Sequence, residues 1–126
     1  MKQINDHEYW RKKELVKIDE IPKEGECRVF GKLTSVVSFS NDGSDSVGVC
    51  LEGKVIGIAS STWKERLEAT KFYIATEEAK RTGEQVELGL SVQSDADYKG
   101  EEKYRGLSTI WIKYFKSSLY EYTLNL

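Results

Sequence analysis

One proline, one histidine and two cysteines are all that 126 residues contain of those types, and each shortage closes a class of function. Cys27 and Cys50 form no Cys-x-x-Cys pair, and His7 is distant from both in sequence. A metal centre needs three or four ligands at short spacings, so no metal and no cofactor is expected. A Ser or Cys nucleophile needs a base beside it, and the sole His7 sits in a polar lead-in expected to face solvent. No glycine cluster has the spacing of a phosphate cradle. No apolar run approaches the ~18 residues of a membrane span. Met1 to Trp10 carry no apolar signal core, which points to a cytoplasmic protein with both thiols reduced. An excess of positive charge is missing too. The 19 Lys and Arg face 21 Asp and Glu, a net charge of -2, whereas a non-specific nucleic-acid binder carries a basic surplus.

What the chain does have is three Trp, seven Tyr and four Phe, enough for a core and too many for a disordered chain. Residues 1–26 read as a charged arm. Arg11-Lys12-Lys13 is bracketed by acids and reads as a solvated face rather than a phosphate or membrane contact. Leu15, Val16, Ile18 and Ile21 suggest a short strand or helical turn docked on the core, before a turn at Pro22-Lys23-Glu24-Gly25.

From Cys27 the period is two. Cys27, Val29, Gly31, Leu33, Ser35, Val37 and Phe39 share one side of a long half-buried strand, with Gly31 as its bend. Asn41-Asp42-Gly43-Ser44 turns the chain into a second strand with Val47, Val49 and Leu51, and Glu52-Gly53-Lys54 into a third, Val55 to Ala59. A turn centred between Asp42 and Gly43 places Cys50 opposite Ser35. Cys27 is then about 25 Å away along the strand at ~3.3 Å per residue, far beyond the ~7 Å a disulfide spans.

Thr62-Trp63-Lys64-Glu65 fits a capping box for a helix that runs to about Thr82, where Gly83 is a left-handed stop. Trp63, Leu67, Thr70 and Ile74 form one stripe of it. Phe72, Ala75 and Ala79 lie about 140° away. A helix plugging a barrel needs one apolar face, so the other packs on the arm or on a second subunit, and Phe72, Ala75 and Ala79 are the candidate subunit interface. Val86, Leu88, Leu90 and Val92 alternate as a fourth strand. A polar loop from Ser94 to Gly106 leads to a fifth, Leu107 to Phe115, with Ile110, Ile112 and Tyr114 opposite Trp111, Lys113 and Phe115. Tyr120, Tyr122, Leu124 and Leu126 alternate as an extra strand.

This order predicts a β-rich α+β fold, an OB-fold-like five-stranded Greek-key barrel with one helix between strands three and four. It forms a single domain over 1–126, with the arm at 1–26, the core at 27–116 and the terminal strand at 117–126.

Ser61-Thr62-Trp63-Lys64-Glu65-Arg66-Leu67, Phe72-Tyr73 and Thr82-Gly83-Glu84-Gln85-Val86 resemble the B-subunits of AB5 toxins, in the subtilase-cytotoxin and pertussis-like branch, over about residues 45–92. The resemblance implies an OB-fold, a ring of subunits and glycan binding without catalysis. No sugar-binding residue carries over position by position.

The loop and its neighbour hold the candidate ligand residues: Tyr98, Lys99, Lys103, Tyr104 and Arg105, with Trp111 on the adjacent strand. Aromatics interleaved with basic side chains stack rings and hold anions. Asp95, Asp97, Glu101 and Glu102 cancel that charge and read as solvated rather than as a catalytic acid pair. The expectation is a non-catalytic, self-associating module that binds a glycan or a protein. The alternative is a single-stranded nucleic-acid binder, for example phage or mobile-element encoded, with Tyr98, Tyr104 and Trp111 stacking and Lys99, Lys103 and Arg105 on phosphates.

Overall fold

Alternating apolar residues drive six strands into one antiparallel-dominated sheet that closes on itself. The computed structural model describes residues 6–41, 44–62 and 66–124. The elements are α1 (Asp6–Arg11), β1 (Gly25–Asn41), β2 (Ser44–Leu51), β3 (Lys54–Thr62), α2 (Arg66–Thr82), β4 (Gln85–Val92), α3 (Gly106–Thr109), β5 (Ile110–Lys116) and β6 (Glu121–Thr123). Among the described residues no helix is long and apolar enough to cross a membrane.

β1 is long enough to serve two neighbours. Its first half pairs with β4 (Cys27 opposite Leu90, Lys32 opposite Gln85) and its second half with β2 (Ser35 opposite Cys50). The hairpin register is the one expected from the turn. Cys27 is buried, Cys50 is half-buried, and both are free thiols. The expected single face of β1 does not survive along its length. Thr34 is an extra residue between the Leu33–Leu51 and Ser35–Cys50 pairs. The bulge lies there and not at Gly31, and it shifts the phase by one. Cys27, Val29 and Leu33 point into the core, then Val36 does, while Val37 is 54% exposed.

Two more bulges tighten the curl, at Ile56 of β3 and Lys113 of β5. The ring closes where β3 meets β5 in parallel, Ile58 opposite Trp111. Two glycines permit this approach. A Cβ on Gly57 would sit 2.8 Å from the Ile110 carbonyl oxygen, and one on Gly106 2.6 Å from that of Ile56. The order around the ring is β1-β2-β3-β5-β4 with α2 between β3 and β4, the OB-like barrel that the sequence predicts. β6 is added outside the ring on β5.

α2 plugs one end. Phe72, Ala75 and Ala79 are buried to 2% exposure or less and belong to the core, with the Phe72 ring edge-on to Phe115 at 5.7 Å. This corrects the expectation of a subunit interface, since that face is inside the barrel and unavailable to a neighbour. Alanines at 75 and 79 let the helix lie close to the sheet. Ile74, on the other stripe, is 57% exposed. Thr62 ends β3, and the rest of the expected capping box, Trp63, Lys64 and Glu65, lies outside the described residues. At the far end Gly83 takes φ 75°, and its N–H donates to the carbonyls of Ala79 and Lys80.

The arm is more than a charged lead-in. Trp10 is 4% exposed, stacked on Tyr114 with centroids 6.3 Å apart, in the space that Gly89 leaves open. The Arg11 guanidinium donates twice to the Glu121 carboxylate, at 2.9 and 2.5 Å, and the Tyr114 hydroxyl donates to it at 2.5 Å. His7 is half-buried, its Nδ1 2.6 Å from the Thr123 hydroxyl, and not free in solvent as expected.

These bonds, Arg11 foremost, hold the Glu121 carboxyl at about 2, against an ordinary 4.5. A depressed acid contributes stability that is complete above its unfolded value and is lost as pH falls from 4.5 through 2. Glu121→Gln is therefore expected to cost about 1–3 kcal/mol at pH 7 and to flatten the acid limb of a denaturation series between pH 4.5 and 2. An unchanged acid limb contradicts this coupling.

Candidate functional site

With α2 at one end, the other end of the barrel is left to loops. There β1 begins, β3 begins, β4 ends and β5 begins. Residues 18–23 of the arm approach from one side and the loop 93–109 from the other. Between them lies a cleft of about 690 Å³. Ile21, Val55, Val92 and Ile110 give it an aliphatic lining, and Asp19, Lys23, Asp95, Glu102, Lys103 and Arg105 a charged rim. A second hollow of about 590 Å³, lined by Gly53, Lys54 and Tyr104, shares Val55, Glu102 and Lys103 with the first. The two make one groove across the barrel end.

The loop is wound on itself rather than loose. The Asp97 N–H donates to Asp95 Oδ1 at 3.1 Å, and the Tyr98 hydroxyl to the Glu101 carbonyl at 2.8 Å. Arg105 is the hub. It donates to the Asp95 carbonyl at 2.8 Å and to Glu102 at 2.8 Å, and its guanidinium carbon lies 4.9 Å from the Tyr98 ring centre. The Glu102 hydrogen bond raises the Arg105 pKa further. The Thr109 hydroxyl donates to the Arg105 carbonyl, and the Gln93 N–H to the Thr109 carbonyl, which ties off the base.

The expected ligand residues therefore divide. Lys103 and Arg105 line the cleft, and Lys103 and Tyr104 the adjoining hollow, with Tyr104 44% exposed. Tyr98 and Arg105 spend their polar atoms inside the loop. Lys99 is exposed and lines neither hollow. Trp111 stands apart. The extra residue Lys113 breaks the alternation of β5, so Trp111 lies opposite Ser91 on the outer face while Phe115 is in the core. The expectation that the two share a face is corrected by that bulge.

The sequence reading missed Lys23, Lys54 and the aliphatic wall. Ile18 and Ile21, an apolar pair in a polar segment just before Pro22, were the available signal for one side of the cleft. A third, more open hollow of about 310 Å³ lies elsewhere, between Leu15, Phe30, Glu87 and Lys116 on the outer sheet face. Among the described residues no three His, Cys, Asp or Glu side chains converge to hold a metal ion.

The strand order and plug helix define an OB-like barrel whose loop end carries the groove. Comparisons with family models, with curated proteins and with solved structures return no match.

Proposed function

We propose that the protein is a non-catalytic binding module that takes an extended segment of a partner protein into the cleft at the loop end of its barrel. The observation that carries this reading is the combination of an aliphatic lining with a rim of mixed charge. Ile21, Val55, Val92 and Ile110 suit an apolar side chain, and the rim suits the polar backbone and flanks of a polypeptide. The volume lies within the ~300–1,000 Å³ typical of ligand clefts, and the self-bonded loop is pre-organised, which lowers the entropic cost of binding.

A glycan fits less well. Sugar rings stack on open aromatic faces, but the Tyr98 ring carries the Arg105 guanidinium and Trp111 lies outside the groove. Single-stranded nucleic acid fits less well again, because Tyr98, Tyr104 and Trp111 do not line one track and Arg105 is already paired with Glu102. The likeness to AB5 B-subunits supports a barrel that offers a surface rather than a reaction centre. It says nothing of this ligand. Self-association is left out of the proposal because the helix face expected to mediate it is core.

Ala96 is exposed on the cleft wall, so Ala96→Trp fills the cleft without touching the core. Peptides selected from a random phage-displayed library on the wild-type protein are expected to lose tenfold or more in affinity for this variant, with its melting temperature unchanged. Peptides that bind both proteins equally contradict the proposal. So does an oligothymidylate that binds at low salt and is released steeply as salt rises.

A further inference from the structure

The far half of β1 has one free side. β4 pairs with Gly25 to Lys32 and β2 with Leu33 to Asn41, on opposite edges of the strand. Among the described residues no strand lies along the second edge of residues 33–41. Every other residue of an antiparallel strand turns its N–H and C=O away from its partner. That edge therefore carries a row of backbone donors and acceptors. α2 cannot supply their partners, because a helix bonds its own backbone, and Thr34, Val37 and Ser38 are exposed.

Native sheets guard such an edge with lysine, proline or a bulge. Residues 33–41 hold no proline and no charged side chain, in a chain that is 32% Asp, Glu, Lys and Arg. The bulge at Thr34 sits at the root of the free stretch and leaves Ser35 to Asn41 in regular register with β2. Val37 is 54% exposed and lies opposite Gly48, so its cross-strand neighbour on β2 has no side chain to cover it.

We infer that this edge pairs with the same edge of a second copy of the chain, antiparallel about a two-fold axis, with Val37 facing Val37. Unpaired strand groups accept an extended strand. A two-fold axis sets the edge against itself, so a charge at its centre would meet its own kind. An uncharged edge is what self-pairing requires, and it gives a partner chosen by charge nothing to hold. β3 also runs free past Ile58, but Ala59 to Thr62 is only four residues long. The surface is not the α2 face, which is core. The groove lies at the end where β1 begins, so both copies keep it open, and the inference stands apart from the binding reading.

The test is sedimentation of the whole chain at about 1 mM, a concentration that reveals even a weak pair, and after dilution. The wild type is expected to have twice the mass of one chain when concentrated and to dissociate on dilution. Val37→Lys and Val37→Glu are each expected to stay monomeric when concentrated, and to melt where the diluted wild type melts. An equimolar mixture of the two is expected to restore the dimer, because opposite charges then face each other. Amide hydrogen exchange reads the edge without a substitution. Those amides of residues 35–41 that exchange fast in the diluted protein are expected to slow at least tenfold in the concentrated one. If a substitution unfolds the chain, the exchange result decides alone. A wild type that stays monomeric overturns the inference. So does a dimer that survives either substitution, a mixture that stays monomeric, or an assembly larger than two.

Discussion

Gly89→Ala destabilises the protein by about 3 kcal/mol and turns Trp10 out into water. The added Cβ would lie 2.5 Å from Trp10 Cε3 and 2.6 Å from Tyr114 Cβ, distances that no small adjustment relieves. Tyr114 is fully buried and held by Glu121, so the part that can leave is α1, six residues long and too short to persist unaided. Losing a buried Trp from a packed site costs about 3–5 kcal/mol. The slight preference of strands for alanine over glycine offsets only a little of that.

The measurement is chemical denaturation with tryptophan emission as a second readout, and the expected result is a lower midpoint with a red-shifted native spectrum. A double-mutant cycle makes the test specific. On a Trp10→Ala background the same Gly89→Ala change is expected to cost less than on the wild type, because one of its two clash partners is gone while Tyr114 Cβ stays. Equal costs on both backgrounds would show that Gly89 serves the strand and not the arm.

The second large effect separates two faces of one helix. Phe72→Ala is expected to cost about 3–5 kcal/mol, the usual loss for a buried aromatic ring, because Phe72 is fully buried and meets Phe115 edge-on. Ile74→Ala, two residues on and 57% exposed, is expected to stay within about 0.5 kcal/mol. The Phe72→Ala loss is independent of protein concentration, since the contact is within one chain. If Phe72→Ala instead left the folded chain intact and only dissociated an oligomer, or if Ile74→Ala were the costlier of the two, α2 would be turned the wrong way here.

That contrast also shows where sequence patterning stops. Both stripes of α2 are apolar at helical spacing, and hydropathy alone does not choose between them. The two small side chains at 75 and 79 are the discriminating feature, because a helix lies closest to a sheet where its contact residues are small. The β1–β2 register and the stop at Gly83 were legible because their chemistry is local, while Asp42 and Gly43 themselves lie outside the described residues. A register pinned by a turn extends along the strand, and a left-handed glycine acts on its own neighbours.

The bulges at Thr34, Ile56 and Lys113 were not legible. Each inserts a residue where the sheet curls to close, so the cause is tertiary, and the period of two on either side looks unbroken in the sequence. One consequence was the misplacement of Phe115 beside Trp111. The arm was opaque for a similar reason. Trp10 sits among charged residues, and what marks it as buried is a missing side chain at Gly89, on a strand far along the chain. The candidate site was half legible. The loop with Lys103, Tyr104 and Arg105 was singled out by its composition. Lys23 and Lys54 joined it only through the fold, and Arg105 proved to be a residue that positions the loop rather than one left free for a ligand.

The account depends on the loop end of the barrel being the surface the protein uses. Amide chemical-shift mapping with a library-selected peptide tests this most directly. The account predicts shifts confined to residues 18–23, Val55, Gln93 to Ala96 and Lys103. Shifts centred on Phe30, Glu87 and Lys116 of the outer sheet face, with the loop end silent, would contradict it.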